Sequence, residues 1–340
     1  MSFFRSRDFG EDEAALRQRV AAWADYSTLE SLTDTALGEV TRAEGVDFAT
    51  ALLFDRFEKS SRHARFIRKI NALRVSHSGS SKKVDAKVVI VPGALYVERP
   101  ELGGDGRIVR EVAEAFGYET ELIPIASFGS VAANASLIRA WIEERHHNRM
   151  ILVSLSKGGA DLKLALAGSD AERTVGNIVA WVNVCGPLNG SRIADWMLAN
   201  RWRRWFCRAQ CLLQRRDFNF ITELRHENDA LLNFPLRVPR SFRILNLIGF
   251  PLTRHMTTRF SKFCHRTLST WGPNDGTTCL SDVVNWLGDV YPVWGADHYF
   301  RPETEARNLI AATLCYLAEE LPLHSMGRRE GDKHTLPAIV

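Results

Sequence analysis

The sequence predicts an α/β protein in which a mostly parallel sheet carries helices on both faces. Short apolar runs rich in β-branched residues alternate with segments of helical periodicity along the 340 residues. The runs are apolar almost throughout, which is typical of parallel strands buried on both sides. The connecting segments are long enough for right-handed crossovers. We therefore expect this core to occupy residues 81–325, between a helical extension at 1–80 and a polar tail at 326–340.

The strands of this core are predicted where apolar runs end in polar or small residues. They are residues 87–93, 119–125, 150–154, 177–184 and 242–248. Helices are predicted at residues 108–116, 131–144, 159–167 and 303–317. Residues 265–271 are interpreted as an extended segment.

The first 80 residues contain no convincing strand. Apolar spacing predicts three helices, around residues 16–23, 48–53 and 66–73. The third is basic, and we interpret its charges as a solvated face rather than a binding arm. The small and polar residues 76–85 are predicted to be a linker to the core.

A second departure from the alternation is residues 188–240, which we predict to be a helical insertion between two core strands. It contains the basic aromatic run Arg201-Trp-Arg-Arg-Trp-Phe-Cys-Arg208. Three interpretations of this run stay open. Its rings pack on the core with the arginines in water, or it meets a lipid surface, or it docks an acidic partner such as a phosphate-bearing acyl carrier.

Composition excludes several classes of protein. No apolar run reaches the roughly 18 residues that a membrane span needs, and the charged start argues against a secretory leader. We therefore expect a cytoplasmic protein. The net charge of +4 is mild, and no nucleic-acid-binding motif is present. The six scattered cysteines lack the spacing of a metal site, so free thiols are expected.

A serine follows the strand at 150–154 in a small, glycine-containing turn. The residues are Ser154-Leu155-Ser156-Lys157-Gly158, close to the pattern G-x-S-x-G with serine at its first glycine. Such a turn between strand and helix exposes the serine hydroxyl above a sheet. A serine hydroxyl becomes nucleophilic when a base accepts its proton and a third group orients that base.

An aspartate and a histidine follow Ser156 in the order this chemistry uses on such sheets. Asp275 lies in the tight turn Gly-Pro-Asn-Asp-Gly, and His298 in the sequence Gly-Ala-Asp-His. Two other acids compete with Asp275. Asp282 is predicted to be a helix N-cap, and Asp297 adjoins His298, where the angle between neighbouring side chains is unfavourable.

Other histidines fit the order less well. His255 and His265 precede Asp275, and the pair His146-His147 precedes the serine on a polar helix end. We therefore favour His298.

These three motifs together resemble the α/β-hydrolase fold serine hydrolases, in particular lipases and esterases. The resemblance covers residues 87–320 and leaves residues 1–80 unaccounted for. It implies Ser156 as nucleophile, His298 as general base and Asp275 as the acid that orients it. It also implies an oxyanion hole of two backbone N–H groups, from Lys157 and from Ala94, with Leu95 as the alternative to Ala94.

Two departures from the family pattern accompany the resemblance. Ser154 replaces the first elbow glycine, where a neighbouring helix approaches closely. Pro92-Gly93-Ala94 stands where the family often has His-Gly-x, so a supporting histidine is lost while the backbone groups remain.

The resemblance implies hydrolysis of a carboxylic ester or thioester with an apolar acyl part, through an acyl-serine. Residues 188–240 would form a lid whose tryptophans and phenylalanines lie near the site. No metal and no organic cofactor are implied. The expected partners are the small-molecule ester or thioester, together with an acyl carrier protein or a lipid surface at the basic aromatic run, and no nucleic acid. The alternatives are an acyltransferase or chain-releasing thioesterase acting on a carrier-bound substrate, and a catalytically silent binding member of the fold.

Overall fold

The computed structural model describes residues 12–76, 83–167, 176–227, 229–239 and 242–321. Within these residues six strands form one sheet in the order β2-β1-β3-β4-β5-β6, and every neighbouring pair is parallel. The strands are β1 (Lys87–Val91), β2 (Thr120–Leu122), β3 (Met150–Leu155), β4 (Ile178–Val184), β5 (Arg243–Phe250) and β6 (Asp289–Trp294). The predicted α/β class with a mostly parallel sheet is confirmed.

Twelve α-helices are described around this sheet. They are α1 (Glu13–Ala21), α2 (Asp34–Glu44), α3 (Val46–Lys59), α4 (Ala64–Ser76), α5 (Arg107–Ala115), α6 (Val131–Glu144), α7 (Lys157–Ala165), α8 (Arg192–Ala199), α9 (Arg201–Leu213), α10 (Asn219–Thr222), α11 (Arg259–Leu268) and α12 (Glu303–Glu320).

Helices cover both faces of the sheet, as predicted. One buried cluster joins the sheet to α1, α2, α3, α6 and α7, and includes Leu52, Ile138 and Leu162. The cluster on the other face joins the sheet to α4, α5 and α12, and includes Ile70 and Leu314. Burial of these apolar side chains is the main favourable contribution to the fold.

Within residues 81–325, two parts of the secondary-structure prediction need correction. Strand β6 was not predicted, because its sequence is short and contains Pro292. Among the described strands it pairs with β5 alone, and an edge strand tolerates a residue without an N–H. The extended segment expected at 265–271 is wrong. Residues up to Leu268 belong to α11, where Thr258 accepts a hydrogen bond from the backbone N–H of Ser261 and so caps the helix start.

Residues 12–76 pack directly on the sheet. This described part of the N-terminal extension contains four α-helices rather than three, because α2 was not predicted. Phe54 and Phe57 of α3 contact Phe250 of β5 edge to face, with ring centroids 5.9 and 5.6 Å apart. Contacts of this kind add about 0.5–1.5 kcal/mol to the burial of each ring pair.

The basic residues of α4 lie mostly on an exposed face, and several of them contact other elements. Arg65 and Lys69 form ion pairs with Glu320 of α12, and Arg74 donates to the hydroxyl of Tyr291. Exposed pairs of this type contribute only about 0–1 kcal/mol each. The apolar residues of α4 therefore hold this helix on the sheet, and its ion pairs connect it to α12.

Residues 188–240, the lid insertion, connect β4 to β5 and contain α8, α9 and α10. The ends of the insertion are tied to the core. Lys163 of α7 donates to the carbonyl of Leu232 at 2.9 Å, and Glu223 accepts from the N–H of Ala132 at 2.8 Å. The insertion is therefore anchored at the start of α6 and along α7.

Two further features concern the described residues. None of the described helices is long and apolar enough to cross a membrane. The thiols of five cysteines are free, as predicted: Cys185, Cys207, Cys211, Cys264 and Cys279.

Candidate active site

The turn between β3 and α7 holds Ser156 in a conformation that side-chain-bearing residues rarely adopt. Its backbone has φ 48° and ψ −127°, between Leu155 at the end of β3 and Lys157 at the start of α7. The N–H of Ser156 donates to the carbonyl of Val184 at 2.9 Å, which ties the turn to β4. A strained serine held in this way is the geometry of a nucleophile elbow.

Glycines make this turn possible because α7 approaches the neighbouring strands very closely. A Cβ atom on Gly158 would lie 2.5 Å from the carbonyl oxygen of Pro92. One on Gly159 would lie 2.4 Å from the side-chain oxygen of Asn183. These two glycines, which follow the serine in α7, therefore allow the helix to approach the neighbouring strands closely.

Ser154, which replaces the first glycine of the usual pattern, has a role of its own. Its side chain is buried, accepts a hydrogen bond from the indole N–H of Trp181 at 2.8 Å and donates to Asn183 at 3.2 Å. Asn183 in turn donates to Asn246 at 3.1 Å. A row of hydrogen-bonded polar groups therefore crosses β3, β4 and β5 beneath α7, which satisfies buried atoms that would otherwise be costly.

The structure brings Ser156, His298 and Asp275 together. The Oγ atom of Ser156 lies 2.8 Å from Nε2 of His298. Nδ1 of His298 lies 2.9 Å from Oδ2 of Asp275. With a proton on Nδ1, the imidazole donates to the carboxylate and presents Nε2 as the acceptor for the serine hydroxyl.

Asp275 is held by the turn that carries it. Its side chain is fully buried, and its Oδ1 accepts from the backbone N–H groups of Thr277 at 2.8 Å and Thr278 at 2.7 Å. The carbonyl of Asp275 accepts from the N–H of His298 at 2.8 Å, which joins the two loops. The carboxylate is therefore fixed in the direction of the imidazole.

Thr277 is a site residue that the sequence analysis missed. Its Oγ1 lies 3.3 Å from Oδ1 of Asp275 and 2.6 Å from Nδ1 of His298. The hydroxyl can donate to the carboxylate while it accepts from Nδ1–H. Its position two residues after the acid, in the same tight turn, is the signal that could have indicated it.

The surroundings of His298 favour its protonated form. Burial by itself lowers the pKa of His298, but the charge of Asp275 and the hydrogen bond to it outweigh burial, so the pKa is raised above 6.5. An imidazolium that forms when the serine loses its proton is thereby stabilised.

The competing acids make other contacts. The carboxylate of Asp297 accepts from the N–H and the hydroxyl of Thr257, at 2.8 and 2.6 Å. Asp282 lies inside a short 3-10 helix (Leu280–Asn285) rather than at its N-cap, and pairs with His226 at 2.8 Å. The N-cap assigned to Asp282 is therefore wrong.

The competing histidines also lie elsewhere. His255 contacts Glu13 at 3.0 Å, and His265 contacts Asn274 at 2.9 Å. His146 and His147 are exposed at the end of α6. Of the candidates named from the sequence, His298 is the one within hydrogen-bonding distance of Ser156.

The residues expected to supply the oxyanion hole border the same cavity as Ser156. Lys157 begins α7, and the N–H groups of a first helical turn have no partner within the helix. Ala94 and Leu95 follow Gly93, where a Cβ atom would lie 3.2 Å from Cβ of Ser156. The loop after β1 is thus packed against the elbow, as two converging N–H donors require.

The side chain of Lys157 forms a buried ion pair beside the nucleophile. Its Nζ lies 2.6 and 2.8 Å from the two carboxylate oxygens of Asp161, one turn along α7. Asn134 of α6 donates to the same carboxylate at 2.9 Å. Burial lowers the pKa of Lys157 and raises that of Asp161, although each charge opposes the effect on its partner. The sequence analysis gave this lysine only a backbone role.

A mostly apolar cavity of about 280 Å³ opens at Ser156 and His298. The core, the lid insertion and α11 all contribute to its wall. The apolar residues that line it include Ile108, Val109, Ile193, Met197, Phe220, Ile221, Leu224, Phe260, Leu309 and Ile310. The cavity therefore suits an extended apolar group attached to the atom that reacts at the serine.

The expectation that tryptophans of the lid insertion lie near the site is wrong. Phenylalanines line the cavity, but Trp202 and Trp205 are 72% and 65% exposed on α9. The interpretation that packs the rings of this run on the core is wrong for the same reason. The helix buries Cys211 on its inner side, and its rings point outward.

One group of side chains in the described residues offers ligand atoms for a metal ion. Sγ of Cys185 and ligand atoms of Asp275 and His298 lie within 4.8 Å of one another. Burial raises the pKa of the Cys185 thiol well above its usual range, which disfavours the thiolate that binds metals. The two other groups are hydrogen-bonded to each other, so this donor set fits a proton-transfer pair better than a metal centre.

Comparison with known proteins places the fold. The structure is similar to the metagenomic carboxyl esterase MGS0156, with a TM-score of 0.58 and 18% identity over 76% of this chain and 92% of that chain. For the mature lipase BlEst2 of Bacillus licheniformis the TM-score is 0.47 and the sequence identity is 18%. The match covers 69% of this chain and 89% of that chain. For alpha/beta hydrolase domain-containing protein 10 from mouse the TM-score is 0.45 and the sequence identity is 16%. The match covers 71% of this chain and 92% of that chain.

This chain has the α/β-hydrolase fold, as the likeness to the carboxyl esterase shows. No protein-family model matches the sequence, and no curated protein matches it. At this level of identity the likeness concerns the fold, and any activity has to be argued from the site itself.

Proposed function

We propose that this protein is a serine hydrolase that cleaves a carboxylic ester or thioester with an apolar acyl part. The observation that supports this most directly is the hydrogen-bonded series Ser156, His298 and Asp275 at the mouth of an apolar cavity. A strained serine, an oriented base and a buried acid are the groups that acyl transfer requires.

The proposed reaction proceeds through an acyl-serine. Nε2 of His298 takes the proton of Ser156 as Oγ bonds to the carbonyl carbon, and the carbonyl oxygen becomes an oxyanion. The N–H groups of Ala94 and Lys157 stabilise that charge. The tetrahedral intermediate collapses, the bond to the leaving alcohol or thiol breaks, and His298 gives the leaving group its proton. Water then repeats the sequence, and releases the acid and free Ser156.

The cavity supports an apolar acyl group as the part of the substrate that is bound. Phe220, Ile193 and Leu309, from three different elements, surround the space next to the serine. Each buried CH₂ group contributes about 0.8 kcal/mol to binding. We expect kcat/KM to rise with acyl length until the cavity is filled, and then to fall.

The test is hydrolysis of p-nitrophenyl esters of increasing acyl length by the full chain. Wild type is expected to turn over these esters with a burst of p-nitrophenol equal to one acyl group per enzyme. Ser156→Ala should show neither burst nor turnover, whereas the control Ser136→Ala, an exposed serine on α6, should behave as wild type. Absence of turnover in wild type across esters and thioesters would favour a catalytically silent binding protein instead.

A further inference from the structure

Helix α9 of the lid insertion turns a stripe of large apolar side chains away from the protein. Their exposed fractions are 57–79%, far above those of the core residues. The stripe consists of Trp202, Trp205, Phe206, Leu212 and Leu213. Exposed apolar clusters of this size are uncommon on proteins that contact only water.

The stripe is a consequence of helical geometry. Successive residues of a helix are about 100° apart, so these five side chains fall within an arc of about 120°. Cys211, on the opposite side, is buried against the rest of the insertion. The exposed arginines Arg201, Arg204 and Arg208 lie along one flank of the stripe. An apolar stripe with a basic flank is the arrangement of a helix that lies in a membrane interface.

The charge of this segment is of one sign. Residues 201–216 contain six arginines and no acidic residue. Three of them lie over aromatic rings, of which Arg201 lies 5.8 Å from the ring centre of its neighbour Trp202 in the stripe. Arg203 lies 3.9 Å from the ring centre of Trp196, and Arg216 lies 3.5 Å from that of Phe128. The exposed ones are available to phosphate oxygens, which guanidinium groups bind well.

A series of side-chain contacts connects α9 to α11 at the rim of the cavity. Trp196 of α8 contacts Arg203 on one side and Phe263 of α11 on the other, with ring centroids 5.6 Å apart in the second contact. Phe263 and Phe260 are both nearly half exposed, and Phe260 lines the cavity that opens at Ser156. Exposed aromatic side chains are therefore present both on α9 and on α11, which borders that cavity.

The geometry points to an anionic membrane surface as the partner of α9 and of the exposed phenylalanines of α11. A bilayer of this kind offers phosphate oxygens to the arginines and an apolar layer to the stripe. A second copy of the chain would set two arginine-rich flanks against each other, which is unfavourable. An acidic carrier protein would satisfy the arginines and leave the apolar stripe to be covered by something else. The docking stands independently of the proposed hydrolysis.

The test is co-sedimentation of the full chain with unilamellar vesicles of phosphatidylcholine, with and without phosphatidylglycerol. Wild type is expected to bind the anionic vesicles, to bind the neutral ones weakly, and to lose binding as salt is raised. Trp202→Ser with Trp205→Ser should lower the partition coefficient by about tenfold or more. The matched control, Leu137→Ser with Leu287→Ser, removes two exposed apolar residues elsewhere and should bind as wild type.

A second pair of variants tests the charges. Arg204→Gln with Arg208→Gln should weaken binding to anionic vesicles, while Arg68→Gln with Arg110→Gln, exposed arginines elsewhere, should not. Equal binding of the tryptophan variant and wild type would overturn the proposal. So would binding of wild type to an acidic acyl carrier protein but not to vesicles, or a dimer that the tryptophan variant dissociates.

Activity separates this inference from the proposed function. Trp202 and Trp205 do not line the cavity, so their variant should hydrolyse a short soluble ester as wild type does. Loss of vesicle binding with retained ester hydrolysis is the expected result. Vesicle binding without any hydrolysis would support docking and contradict the hydrolase.

Discussion

Two histidine–aspartate pairs of nearly equal length lie in different regions of the molecule. His298 and Asp275 join loops at the end of the sheet, with 2.9 Å between the paired atoms. His226 of the lid insertion and Asp282 of the core are 2.8 Å apart. The pKa of each histidine is raised, and in both cases the hydrogen-bonded aspartate contributes to the increase. The pair by itself therefore does not identify a site.

The difference lies in what surrounds each pair. In the first pair the aspartate is fully buried, and Oγ of Ser156 lies within hydrogen-bonding distance of Nε2 of the histidine. The second is partly exposed, and the N–H of His226 donates to Asp195 of α8. In the proposed reaction the first pair accepts the proton of Ser156. The second is placed to fasten the lid insertion to the core, and no serine takes part in the hydrogen bonds found around its imidazole in the described residues.

The greatest loss of activity is expected from substitutions at Ser156 and His298. Ser156→Ala or His298→Ala should lower kcat for a soluble ester by about 10⁴- to 10⁶-fold, because either change removes the activated nucleophile. His226→Ala, the matched change in the second pair, should retain turnover. Steady-state kinetics on a p-nitrophenyl ester checks all three. Comparable losses in His298→Ala and His226→Ala would contradict the assignment.

The acids of the two pairs should differ in the same way. Asp275→Asn is expected to lower kcat by about 10⁴-fold, because the amide cannot hold the imidazole in the required tautomer. Asp282→Asn should leave turnover of a short ester intact and lower the melting temperature, since it loosens a contact of the lid insertion. Kinetics and thermal unfolding of both variants distinguish the roles. An active Asp275→Asn would transfer the role of the acid to another carboxylate.

A third prediction concerns the buried pair beside the serine. Asp161→Leu alone should destabilise the fold by about 3–5 kcal/mol, because it leaves the Lys157 ammonium buried without its counter-ion. Lys157→Met combined with Asp161→Leu should recover most of that loss, since both charges are then absent. Urea unfolding of the single and double variants measures this. Additive losses would show that the two side chains act independently.

The pH profile gives the smallest and most specific effect. His298 must be neutral to accept the serine proton, so kcat/KM should rise with pH through its pKa. Because Asp275 raises that pKa, the midpoint of the acid limb is expected above 6.5. In Asp275→Asn the raising charge is absent, so the midpoint of the residual activity should move down. A midpoint that stays in place would mean that another group controls the limb.

The sequence alone was sufficient for five of the six strands, for the presence of helices on both faces of the sheet and for the residues that meet at the elbow. Strand–helix alternation is a local pattern, and the order of Ser156, Asp275 and His298 is visible in one dimension. Thr277 and the Asp161 partner of Lys157 were missed, because their roles depend on distances between side chains.

The outward direction of the α9 rings was also beyond the sequence. A mixture of tryptophan and arginine shows that one side of a helix differs from the other. Which side packs on the protein depends on the neighbouring helix α8, whose Trp196 is contacted by Arg203 rather than by the rings of Trp202 and Trp205. Strand β6 was missed for a similar reason, since only its pairing with β5 makes Pro292 acceptable.

Covalent labelling tests whether Ser156 is the activated nucleophile, as proposed. A fluorophosphonate should add one phosphonyl group to wild type, and peptide mapping by mass spectrometry should find it on Ser156. Ser156→Ala should remain unlabelled, and His298→Ala should label far more slowly because its serine lacks a base. Equal labelling of wild type and Ser156→Ala would contradict the account.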